Sequence, residues 1–69
     1  MTDFGVRLPI RLGQFLKLSN LAESGGHARD LIEAGEVSVN GTVCTQRGKQ
    51  LSEGDTVTAH GETLKITAE

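Results

Sequence analysis

The dipeptide Asn40-Gly41 constrains this chain more than any other feature. Two alternating runs, Glu36-Val37-Ser38-Val39 and Thr42-Val43-Cys44-Thr45, flank it. A two-residue hairpin turn needs positive φ at both central positions, and Asn-Gly supplies that at little steric cost. A second pair of runs, Thr56 to Ala59 and Glu62 to Thr67, surrounds His60-Gly61. A two-residue turn there sets Val57 opposite Leu64, on the same face as Ala59 and Ile66. Between the pairs lie a basic loop, Arg47-Gly48-Lys49, then Leu51 and the turn Glu53-Gly54-Asp55.

Upstream the apolar period changes from two to that of a helix. Leu12, Phe15 and Leu16 fall at i, i+3, i+4, with Arg11, Gln14 and Lys17 on the other side, which predicts a helix over about 10–18. Pro9 stands just before it, where proline is tolerated. Ser24 is placed to cap a second helix over about 25–34, whose apolar stripe is Ala28, Leu31 and Ile32. Gly35 suits the left-handed residue that ends a helix. Residues 1–9 are expected to be an extended lead-in, with the core over about 10–67. The order is helices, then strands. It predicts an α+β domain with two short helices packed on a small antiparallel sheet.

The length of 69 residues allows a single domain, here 1–69, with a small core. No apolar run reaches the roughly 18 residues that a membrane span needs. Met1-Thr2-Asp3-Phe4 lacks the basic-then-apolar pattern of a secretory signal. Cys44 is the only cysteine, so no internal disulfide is expected. A cytoplasmic monomer is the expectation. His27, His60 and Cys44 show no zinc-ligand spacing, and Gly48-Lys49 lacks the rest of a phosphate-binding loop. No base stands ready to activate Cys44, so neither a metal, nor a cofactor, nor catalysis is expected.

The segment from Glu23-Ser24-Gly25-Gly26 through Leu31-Ile32 and Gly35 to Val37-Ser38-Val39-Asn40-Gly41 resembles the core signature of the S-four-like RNA-binding domain. Leu51-Ser52-Glu53-Gly54-Asp55-Thr56-Val57 is similar to that family's Gly-Asp turn and closing strand. Leu12-Gly13-Gln14-Phe15-Leu16-Lys17 looks like its first helix. The likeness covers about residues 11–60 and is closest to the short, single-domain bacterial members. It implies an alpha-L motif, two angled helices on a small sheet. It also implies non-catalytic binding of structured RNA, often ribosomal or transfer RNA.

On that resemblance, phosphate contacts are expected from Lys17, Arg29, Arg47 and Lys49, with Arg11 assisting. Ser24, Gly25 and Gly26 offer helix N-terminal N–H groups to a phosphate. His27 and Asn40 complete the candidate set, Asn40 chiefly as a turn residue. Arg29 has a plain structural alternative, an i,i+4 pair with Glu33. Phe4 and Phe15 are the only aromatics, so recognition by shape suits the chain better than base stacking. Partners would be structured RNA and through it the ribosome or an RNA-modifying protein. Nine acidic residues against seven basic give a net charge of −2. That balance, with Asp30, Glu33 and Glu36 on or beside the second helix, supports a rival reading: a protein-interaction adaptor with the fold but little RNA affinity.

Overall fold

The computed structural model describes residues 2–69. Both helices follow their apolar stripes. In α1 (Leu12–Leu18) the side chains of Leu12, Phe15 and Leu16 are fully buried. In α2 (Gly25–Glu33) Ala28, Leu31 and Ile32 face inward. The Ser24 hydroxyl accepts the His27 backbone N–H at 3.1 Å, so the cap forms as the sequence predicts. Gly35 takes a φ of +76° just beyond the helix end.

The first helix starts later than its periodicity predicts. Ile10 and Arg11 are extended and form β2, paired antiparallel with β5 (Gln50–Leu51). Arg11 is the N-cap, with φ −98° and ψ 157°. The Gln14 side chain reaches back to accept the Arg11 N–H at 3.1 Å. Local bonding therefore ends the extended segment at Arg11.

The main sheet holds β1 (Thr2–Val6), β3 (Val37–Val39), β4 (Thr42–Val43), β6 (Thr56–Ala59) and β7 (Glu62–Ala68), in the order β1-β7-β6-β3-β4. Both predicted hairpins form. Asn40 and Gly41 have φ of 54° and 82°, and His60 and Gly61 have 54° and 75°. Val57 lies opposite Leu64, and Val39 opposite Val57. One sheet face therefore carries Val37, Val39, Val57, Ala59, Leu64 and Ile66 into the core beneath the helices. Each fully buried aliphatic or aromatic side chain contributes about 1.5–3 kcal/mol relative to exposure.

The N-terminal segment differs most from expectation. It is extended, as predicted, but it is no lead-in. Residues Thr2 to Val6 pair in parallel with Leu64 to Ala68, so the sheet is mixed and not purely antiparallel. Val6 is fully buried, and Phe4 stacks edge-on against Phe15 with ring centres 5.7 Å apart. The core therefore begins at the chain's first strand and not at residue 10. Two apolar side chains separated by Gly5 have found a groove along β7, a pairing with no short-range sequence signal. Met1, also assigned to the lead-in, lies outside the described residues.

Candidate nucleic-acid interface

The first free N–H groups of α1 need acceptors, and the basic loop supplies them. Leu12 N–H donates to the Lys49 carbonyl at 2.9 Å, and Gly13 N–H to the Arg47 carbonyl at 3.0 Å. The Arg11 guanidinium donates from Nη1 to the Gly48 carbonyl at 2.7 Å. The Lys49 N–H closes the loop on the Gln46 carbonyl at 3.1 Å. These bonds hold residues 46–49 in a fixed position over the start of α1. A cation on a fixed loop binds phosphate with less ordering cost than one on a mobile loop.

The result is an open groove of about 400 Å³ between α1, the first turn of α2 and the loop. Arg11, Lys17, Arg29 and Arg47 line it, and Gly13, Gln14, Gly25 and Gly48 form its floor and walls. Among the described residues no Asp or Glu lines it. Four positive charges around one concavity repel each other, and an anion placed among them relieves that repulsion. Nothing lies within 4 Å of where a Cβ on Gly25 would stand, so a ligand meets an open helix start there.

The structure brings together part of the candidate set. Arg11, Lys17, Gly25, Arg29 and Arg47 share the groove. Arg29 also lies 3.9 Å from Glu33, the i,i+4 pair named as its alternative, with both side chains more than half exposed. A pair so exposed is worth a few tenths of a kcal/mol and leaves the guanidinium free to turn. The other candidates lie apart from the groove. Lys49 does not line the groove; it lines a separate depression with Val43 and Asn40. The Ser24 hydroxyl is occupied by the cap, and Gly26 does not line the groove. His27 is half-buried, and its Nδ1 accepts the Glu23 N–H at 2.9 Å. Its ring lies 6.3 Å from that of His60. Asn40 is committed to the sheet: Oδ1 accepts the Thr56 N–H at 2.9 Å and Nδ2 donates to Asp55 at 3.1 Å.

Sequence reasoning passed over Gln14 and Gly13 because neither carries charge. Their placement depends on the loop folding back across more than thirty residues of chain, which no local pattern encodes. It also passed over Arg7, which lines a neighbouring groove with Lys17.

Comparison with known proteins agrees with this architecture. The family model for the S4 domain matches residues 7–67. The Bacillus subtilis protein named "Probable ribosome maturation protein RlbA" is 44% identical over 52 residues, covering 75% of this chain and 73% of that protein. YbcJ of Escherichia coli is 34% identical over 59 residues, covering 86% of this chain and 84% of YbcJ. The solution structure of YbcJ, which reveals an αL motif involved in RNA binding, matches with a TM-score of 0.68 at 31% identity, over 97% of this chain and 85% of that one. Heat Shock Protein 15 of Vibrio cholerae, whose solved structure is trimeric, shares the fold with a TM-score of 0.75 at 24% identity. The match to it covers 86% of this chain and 63% of that longer one.

Proposed function

This chain belongs to the S4 domain family, and on that premise we propose that it binds structured RNA non-catalytically through the groove at the start of α1. The observation that carries this reading is the segregation of charge. The chain is acidic overall, at −2, yet four of its seven cations converge on one groove that no acid among the described residues lines. Arg11, Lys17, Arg29 and Arg47 contact phosphates, and the start of α2 at Gly25 approaches the backbone. Lys49 acts through its carbonyl, which caps α1. Ribosomal RNA is the favoured class, because one relative is named for ribosome maturation.

Titration against a structured RNA at several salt concentrations tests this. Four phosphate contacts give a slope of log affinity against log salt of about −3 to −4, at roughly −0.7 to −0.9 each. Arg47→Ala flattens the slope by about one contact, while Lys49→Ala leaves it unchanged. Weak binding at every salt, with no effect of Arg47→Ala, overturns the reading in favour of the protein adaptor.

A further inference from the structure

We propose that a second groove, on the other side of α1, receives one unpaired nucleobase of the RNA whose backbone occupies the first. This inference rests on the RNA-binding reading above and adds a subsite for a base to it. The groove measures about 570 Å³ and is lined by Arg7, Pro9, Ile10, Gln14, Lys17 and Leu18. Gln14 and Lys17 line both grooves, so the two concavities flank a single ridge and a chain can cross from one to the other.

The two grooves offer different side chains. The first groove is lined by four cations, three glycines and a glutamine, which suits a phosphate backbone. The second adds exposed apolar side chains to a polar lining. Leu18 is 56% exposed, one of two large hydrophobic side chains left so open among the described residues, and Pro9, also exposed, lies with it. Cations stand at its margin as well, and no acid among the described residues lines it. Exposed Leu18 and Pro9 beside a guanidinium and an amide match a nucleobase. The faces of a base are apolar and stack on arginine planes, while its edges take hydrogen bonds. Gln14 Oε1 is engaged by the Arg11 N–H, which orients the side chain and leaves its NH2 group free to donate. Duplex RNA keeps its bases inside the helix, so the base presented here comes from a bulge or a loop.

Three RNA hairpins with the same stem test this. One is fully paired, one carries a single-nucleotide bulge, and one carries the same bulge with an abasic ribose. The wild-type protein binds the bulged hairpin about five- to tenfold more tightly than the paired one. The abasic bulge gives no such gain. Leu18→Ala removes the gain, binds the paired hairpin like the wild type and keeps its thermal melt, since Leu18 lies on the surface. Arg7→Ala also removes the gain. Equal binding of paired and bulged hairpins, or a full gain from the abasic bulge, overturns the base subsite while leaving the first groove standing. Failure to bind any of the three overturns the RNA-binding reading and this one with it.

Discussion

Asn40 illustrates how one residue can satisfy two readings while the structure favours one. As a polar residue at an exposed turn it is a candidate RNA contact. In the fold its amide is spent on holding the two halves of the sheet together, through the Thr56 N–H and the Asp55 carboxylate. The same Asp55 accepts the Ser52 N–H at 2.8 Å, so the Asn-Gly turn and the Gly-Asp turn form one linked unit. Asn40 also sits at φ 54°, a left-handed conformation that costs alanine about 1 kcal/mol. Asn40→Ala is therefore expected to destabilise the domain by about 1–3 kcal/mol, from the lost bonds and the backbone together. Chemical denaturation measures this. RNA affinity of the folded protein stays at the wild-type value; a clear loss of affinity at unchanged stability would instead assign Asn40 to the interface.

At the scale of elements, what was legible is what is encoded within a few residues. Ser24 and Gly35 mark the limits of α2, and the Asn40-Gly41 and His60-Gly61 turns fix both hairpins, the second with Val57 facing Leu64 as expected. The parallel pairing of β1 with β7 joins the two ends of the chain, and Asp3 and Gly5 dilute its strand character. The docking of the basic loop on α1 is equally non-local: one basic face of Lys17, Arg29, Arg47 and Lys49 was expected, but the bonds that set Arg47 in the groove and leave Lys49 outside it have no local signal. Lys49 was grouped with Arg47 by adjacency, and the loop geometry separates them. The N-terminal strand gives a direct test. If residues 1–9 were a mere lead-in, Val6→Ala would cost nothing. Since Val6 is fully buried, the substitution is expected to cost about 1–3 kcal/mol. Leu31→Ala, at the centre of the α2 stripe, is expected to cost about 2–5 kcal/mol. Melts of the two variants rank them, and a Val6→Ala melt identical to wild type would remove β1 from the cooperative core.

For the whole molecule the question is whether net charge or its placement governs an anionic partner. The domain measures 28 × 20 × 18 Å. At about 0.15 M salt charges are screened over about 8 Å, well short of those dimensions, so a distant charge has little influence on the groove. At about 0.01 M the screening length of about 30 Å exceeds the molecule, and every charge is felt. Lys65 and Lys17 separate the two cases. Lys65 lies opposite Asp3 on the outer face of the sheet, away from the helices, whereas Lys17 lines the groove. Lys65→Gln and Lys17→Gln change the net charge identically, from −2 to −3. At physiological salt Lys65→Gln is expected to leave RNA affinity within about twofold, while Lys17→Gln lowers it about three- to tenfold and removes roughly one contact from the salt slope. As salt falls toward about 0.01 M, Lys65→Gln begins to weaken binding as well. Equal losses for the two variants at physiological salt would mean that overall charge, and not the groove, sets the affinity.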